Sequence, residues 1–273
     1  MHMELSDLEY VIFDVETTGL APEAGDRIVE IAAVKVAGNN IIGQFHCLVN
    51  SKVPISQGAF AVNGITDKML KSALEPENVI PKFMDFIEDN MLFAYNAKFD
   101  IGFLGQELRL LKQSLPKELL VVDILAMARA LLPNLGRYSL SFVAKHFAIK
   151  ETQQHRALAD AQMSLEVLKI LFGILNKQGV NEFSYVKTAF CIDREVVNRA
   201  IGGRIAEIQE AMNVGARLKI RYFSVLRGEV TERDVTPREI MKEGKYDYLV
   251  GYCHLKQKER IFRIDGILKL EMM

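Results

Sequence analysis

The stretch Ile12-Phe13-Asp14-Val15-Glu16-Thr17-Thr18-Gly19-Leu20 sets how the rest of the chain is read. It closes an apolar run that starts at Leu8, the pattern of a buried strand, and it places two carboxylates two residues apart, where side chains share one face. Asp14 and Glu16 therefore point the same way. Like charges side by side at the end of a hydrophobic strand repel and lose solvation, and a divalent cation that prefers hard oxygen ligands is the simplest compensation. The other reading of an isolated Asp-x-Glu is a pair of solvated strand-end residues.

Working outward, residues 19–26 form a polar turn region with Pro22 and Gly25. The segments 27–36 and 41–49, separated by Gly38-Asn39-Asn40, complete a three-stranded antiparallel meander. Thr66 is positioned to cap a short helix beginning at Asp67. A longer helix is expected over 81–89, with Phe83, Phe86 and Ile87 at core spacing. Residues 91–95 then read as a strand that delivers Asn96-Ala97-Lys98-Phe99-Asp100 to the start of a helix carrying Phe103, Leu104, Leu108, Leu110 and Leu111. Asp100 at that helix N-terminus is either a ligand or a dipole-favoured capping residue. A strand over 119–122, ended by Asp123, leads into a helix over 124–132, and a further amphipathic helix over 139–147 carries His146 as a surface or packing residue. The βαβα alternation after a meander predicts a mixed sheet flanked by helices.

A third acidic segment is His155-Arg156-Ala157-Leu158-Ala159-Asp160-Ala161, which opens a strong helix through Leu165, Leu168, Ile170 and Leu171. Five helical residues turn a side chain by about 500°, so His155 and Asp160 cooperate only if His155 lies on the loop before the helix. A solvated loop histidine is the alternative.

From 176 to 203 the pattern weakens, although 194–200 reads as helical. The chain divides at this point into residues 1–178, a linker or helical connection over 179–203, and a second unit over 204–273. In the second unit, a helix over 204–212 precedes short alternating segments at 218–223, 229–235, 246–252 and 260–267, which suggest a small β-barrel.

Over the whole chain 34 Lys+Arg face 35 Asp+Glu, so net charge makes no argument for a nucleic-acid or anionic membrane partner. Residues 201–273 contain 8 Arg and 6 Lys against 11 Asp+Glu, a balance of +3, leaving −4 for residues 1–200. Cys47, Cys191 and Cys253 are scattered and odd in number, which argues against a disulfide framework or thiolate zinc site and suits a reducing cytoplasm. No apolar run approaches the roughly 18 residues of a membrane span, and the first residues lack a signal-peptide layout. The expectation is a cytoplasmic protein with no membrane partner.

Asp14 with Glu16, then Asp100, then Asp160, with an imidazole nearby, form a coherent kit for phosphodiester hydrolysis by two divalent cations, Mg²⁺ or Mn²⁺, about 3.5–4 Å apart. His155, with an ordinary pKa near 6.5, suits the role of base. The motifs Phe-Asp-Val-Glu-Thr-Thr-Gly-Leu (13–20), Asn-Ala-Lys-Phe-Asp-Ile-Gly-Phe-Leu (96–104) and His-Arg-Ala-Leu-Ala-Asp-Ala (155–161) resemble, in this order, the three motifs of the DEDDh (DnaQ-like) 3′ to 5′ exonucleases. The resemblance covers about residues 8–175, with Asn63-Gly64-Ile65-Thr66 as a further matching segment. It implies a ribonuclease-H-like fold in which Asp14, Glu16 and Asp160 hold one metal, Asp14 and Asp100 reach the second, and His155 activates water. It also implies that Thr17, Thr18 and Leu20, with Asn96 and Phe99 of the second motif, meet the terminal nucleotides. Tyr95 and Asn63 stand where this family often has His, departures that bear on substrate preference.

The second unit resembles a WYL domain, a small Sm-like β-barrel. The matching residues are Ala211, Gly215, Ile220, Tyr222, Thr231, Arg233, Pro237, Tyr248-Leu249, Arg260, Phe262, Arg263, Asp265 and Ile267, while Asp247 replaces the naming Trp and Gly266 a common Arg. Such domains bind nucleic acid or nucleotide-like ligands. Arg233, Arg260 and Arg263 are the anion-binding candidates, since guanidinium forks suit phosphate; structural pairs with Asp234, Glu259 or Asp265 are the alternative. The combined expectation is a metal-dependent exonuclease trimming 3′ ends of single strands, DNA favoured over RNA, with a regulatory module for nucleic acid, a nucleotide ligand or a protein partner. A nucleic-acid-end sensor that binds more than it cleaves is the other class.

Overall fold

The computed structural model describes residues 3–150, 155–224, 227–244 and 246–273. The chain forms β1 (Glu9–Thr17), β2 (Ile28–Ala37), β3 (Asn40–Leu48), α1 (Gln57–Asn63), α2 (Asp67–Leu70), α3 (Pro76–Ile87), β4 (Met91–Ala94), α4 (Ala97–Leu110), β5 (Val121–Asp123), α5 (Ile124–Leu131), α6 (Leu140–His146) and α7 (Ala157–Lys177). The strands make one sheet in the order β3-β2-β1-β4-β5. β1 to β3 are antiparallel and β4 and β5 run parallel to β1, so the expected mixed sheet is present and the fold is ribonuclease-H-like.

Period-2 alternation along β1 explains the layering. Tyr10 and Ile12 enter one core with α5 and α7, while Val11, Phe13 and Val15 enter the other with Val79, Ile80 and Phe83 of α3 and Phe103 of α4. Asp14 and Glu16 continue the Tyr10–Ile12 row, and so face the side covered by α7. In the second core Phe83 packs against Phe13 and Phe45, at centroid distances of 5.8 and 5.6 Å, and Phe45 packs in turn against Phe86 at 5.7 Å.

The connection over 179–203 is helical. α8 (Phe183–Phe190) buries Phe183, Tyr185, Val186 and Phe190 in the first core, and α9 runs unbroken from Arg194 to Val214, through Gly202 and Gly203. β6 (Leu218–Ser224), β7 (Glu229–Glu243), β8 (Tyr246–Cys253), β9 (Lys258–Arg263) and β10 (Ile267–Met272) follow.

The expected Sm-like barrel is not seen as a closed barrel. The five strands form an open sheet in the order β10-β6-β7-β8-β9, and among the described residues β9 and β10 do not pair. A 3₁₀ turn at Ile264–Gly266 divides the segment read as one strand, so that β10 pairs antiparallel with β6 instead of continuing β9. Ile208 and Ala211 of α9 pack with Leu218, Ile220, Val235 and Leu249 of the sheet.

The two units are joined. Arg221 Nη2 donates to the carbonyl of Gln178 (2.8 Å), Gln178 Nε2 donates to the carbonyl of Gly228 (2.7 Å), and the Tyr185 and Phe223 rings lie 5.4 Å apart. Gly228 has φ +62°, and a Cβ there would stand 3.1 Å from Pro133 Cδ and 3.2 Å from the Ala130 carbonyl. Only glycine combines that backbone with so close an approach. The three cysteines are free. Among the described residues no helix is long and apolar enough to cross a membrane.

Candidate active site

Three chain ends converge at one end of the first sheet. β1 supplies Asp14 and Glu16, and the first turn of α7 supplies Asp160; one carboxylate oxygen from each lies within 4.8 Å of the others. Asp100, in the first turn of α4 and 2% exposed, approaches from behind and accepts the Val15 N–H at 3.1 Å. The Asp100 carboxylate reaches across to β1 and also accepts the N–H of its own residue in the first turn of α4.

The electrostatics are those of crowded, largely buried carboxylates. Burial, then the charges of Asp100, Asp160 and Glu16, hold the Asp14 carboxyl well above the ordinary carboxylate range. Glu16 is pushed up to about 8, first by burial, then by Asp160 and Glu30, against hydrogen bonding from Asn63 and the positive charge of Arg156. Burial also raises Asp100, partly opposed by the Val15 N–H. An all-oxygen donor set fits a hard divalent ion such as Mg²⁺ or Mn²⁺.

A stability prediction follows from the sign of these shifts. A carboxyl raised in the fold from near 4.5 to about 8 stabilises the folded state at low pH and loses that contribution as pH rises through the folded value. The melting temperature of the metal-free protein is therefore expected to fall between about pH 5 and pH 8, and millimolar Mn²⁺ to restore it at the upper end. Circular dichroism reads this in a chain without Trp; a flat metal-free profile would contradict it.

His155 stands on the loop before α7, as the turn geometry requires, exposed and with φ +56°. It lies outside the trio of carboxylates. Thr17 and Thr18 are buried: Thr17 Oγ1 donates to the Gly19 carbonyl (2.5 Å), and the Thr18 hydroxyl donates to Asp26 Oδ1 and accepts the Arg27 N–H, both at 3.0 Å. The backbone is fastened as well: the Thr18 N–H donates to the Arg27 carbonyl (2.9 Å), and the Thr18 carbonyl accepts the Ser56 N–H (3.0 Å). Asp26 closes that loop over Gly19, where a Cβ would meet its carboxyl at 2.3 Å. Leu20 is 83% exposed. Leu20, Phe99, Val62 and Ala59 line a mostly apolar cavity of about 640 Å³ that reaches Glu16. Asn96 is exposed in the left-handed conformation (φ +69°), and its N–H donates to Asp123 Oδ1.

Two residues not singled out as site groups belong here. Asn63 is buried, donates to the Thr17 carbonyl at 3.3 Å and hydrogen-bonds Glu16, so the residue noted only as a departure from His braces a carboxylate. Glu30, opposite Glu16 in the β1–β2 register, is fully buried. A lone charge inside Ile28-Val29-Glu30-Ile31 was its sequence signal. Tyr95, the other departure, is structural, donating to the Tyr138 carbonyl at 2.7 Å. His146 is exposed, its ring edge-on to Phe147 at 4.9 Å.

The three anion candidates of the second unit are not gathered. Arg263 lies 3.9 Å over the Tyr246 ring and pairs with Asp265, the structural alternative. Arg233, on β7, donates to the Glu232 carbonyl, and Arg260 is exposed on β9, two strands away. Glu259 engages Arg238 instead.

Residues 11–168 match the RNase T exonuclease family, and residues 203–272 match the WYL domain. The DNA polymerase III epsilon subunit of Rickettsia typhi is 36% identical over 210 residues, covering 72% of this chain and 90% of that protein. The PolC-type DNA polymerase III of Clostridium perfringens is 39% identical over 171 residues, 63% of this chain, which spans only 12% of that relative's length. The fold is similar to that of E. coli Exonuclease I in complex with a dT13 oligonucleotide, at TM-score 0.57 and 14% identity, covering 97% of this chain and 66% of that one.

Proposed function

Because the chain belongs to the RNase T exonuclease family, in its DnaQ-like group, and carries a WYL domain, we propose that it is a metal-dependent 3′ to 5′ exonuclease of the DEDDh type. It removes nucleoside monophosphates from single-stranded ends, DNA in preference to RNA. The observation that carries this reading is the convergence of Asp14, Glu16 and Asp160 within 4.8 Å, with Asp100 bonded to the same strand, beside an apolar cavity open to a strand end.

Asp14, Glu16 and Asp160 would hold one cation, and Asp14 with Asp100 would reach a second. Bound there, divalent cations polarise the scissile phosphodiester and stabilise charge on the attacking and departing oxygens. The backbone at Thr17 and Thr18 positions the terminal nucleotide, Phe99 and Leu20 offer apolar surface to its bases, and Asn96 flanks them. His155, on its loop, accepts the proton of the attacking water at an imidazole nitrogen. The WYL domain is a regulatory module for nucleic acid or a nucleotide-like ligand, with the half-buried Arg233 and the exposed Arg260 as its candidate cations.

The test is a 5′-labelled single-stranded DNA and its RNA counterpart incubated with Mg²⁺ or Mn²⁺, beside a chelator control. A metal-dependent ladder shortening from the 3′ end, faster on DNA, supports the reading. Binding without shortening of either strand would replace it with the end sensor. For Leu20→Ala the expected result is a KM for the oligonucleotide raised about tenfold, the scale of losing one apolar side chain buried against a base, with an unchanged melting temperature because the side chain is solvent-exposed. Steady-state kinetics on labelled strands checks it.

A further inference from the structure

Glu30 carries a full charge in the middle of an apolar strand, and its side chain is 0% exposed. Such a group persists only if every lone pair is engaged. Arg156 donates from Nε (3.1 Å) and Nη2 (2.7 Å), His46 Nε2 lies 2.6 Å away, and the Ala157 N–H donates at 3.1 Å. Burial alone would raise this carboxyl; the bonds from Arg156, His46 and Ala157 outweigh it and leave the group below its ordinary value, so Glu30 is an anion in the fold.

Two of these partners belong to the segment that brings His155 and Asp160 to the site. Arg156 follows His155 directly, and Ala157 is the first residue of α7, three before Asp160. Arg156 is also within electrostatic reach of Glu16. A guanidinium in that position has two sets of acceptors: Glu30, or the carboxylates that a metal ion would use. A bidentate pair with Glu16 would neutralise the trio and compete with the ion.

We propose that Glu30 is a positioning residue, which holds Arg156 away from Glu16 and ties the start of α7 to β2, so that the guanidinium does not compete with a divalent cation for the Glu16 carboxylate. The inference rests on the metal-dependent reading of the carboxylate trio.

The test measures Mn²⁺ affinity by titration calorimetry on the full chain, with strand shortening in parallel, for wild type, Glu30→Gln, and Glu30→Gln combined with Arg156→Gln. Glutamine is isosteric and still accepts the Ala157 N–H, but cannot hold the guanidinium as an ion pair. The single variant is expected to bind Mn²⁺ about tenfold more weakly, the scale of a lost outer-sphere partner. In the double variant the competitor is gone, and affinity returns to within about threefold of wild type. A merely structural strut gives no such rescue. Unchanged affinity in the single variant, or a double variant as weak as the single, overturns the inference while leaving the exonuclease reading intact. A wild-type protein that binds no Mn²⁺ overturns both. Should Glu30→Gln not fold, Glu30→Asp is read in its place: one methylene shorter, it is expected to weaken Mn²⁺ about threefold, and unchanged affinity overturns the proposal.

Discussion

Asp14→Ala is expected to reduce strand shortening by about 10³-fold or more and, at the same time, to raise the melting temperature of the metal-free protein at pH 8. The two effects share one cause. Asp14 is held well above the ordinary carboxylate range by burial and by four neighbouring acids, so its ionised form is destabilising without a counter-ion. Removing it relieves that repulsion and removes a ligand shared by both proposed cation positions. Such opposition between stability and activity is the usual mark of a functional group. Initial rates on a 5′-labelled single strand, together with thermal melts followed by circular dichroism, check both halves. A variant that is inactive and also less stable would place Asp14 among ordinary structural residues.

The largest expected loss of stability lies elsewhere, at Glu107. This α4 carboxylate is 1% exposed and bridges to the start of β2: Oε1 accepts Arg27 Nε (2.8 Å) and the Ile28 N–H (3.2 Å), and Oε2 accepts Arg27 Nη2 (2.7 Å). Glu107→Ala leaves a half-buried guanidinium and a buried backbone N–H unpaired. Breaking such a pair costs about 3 kcal/mol, which for a chain of this size lowers the melting temperature by roughly 6–12 °C. The bridge also anchors the helix that delivers Asp100, so metal affinity is expected to weaken with it. A loss below about 1 kcal/mol would mean that Arg27 turns to water at no cost.

Much of this architecture was legible residue by residue. The alternation 8–17, the Gly-Asn-Asn turn, and the strand-to-helix steps at 94–97 and 123–124 are local signals of period 2, period 3.6 and turn chemistry. Element boundaries were less so. Pro81 reads as a helix start, yet α3 begins at Pro76 and carries Pro81 in its second turn. The helices read separately over 194–200 and 204–212 are one, α9, which runs through Gly202 and Gly203 because it packs on the second sheet, and packing overrides a helix propensity penalty of about 1 kcal/mol per glycine. Leu110, placed on the apolar face of α4, is half-exposed at its last turn.

The sequence by itself determined which acids could act and on which local face each lies, because strand alternation and helix phase are properties of a few adjacent residues. Asp14 and Glu16 had to point together, and His155 could cooperate with Asp160 only from the loop before its helix. Only the tertiary structure settled that Asp160 reaches within 4.8 Å of the first pair, that Asp100 bonds across to Val15, and that Glu30 stands opposite Glu16. It also settled that the second sheet stays open, through a turn at 264–266 that sends the last strand to β6. Each of these depends on the register between segments distant in the chain. Register is set by the summed burial of whole faces and not by any residue pair that can be read along the line.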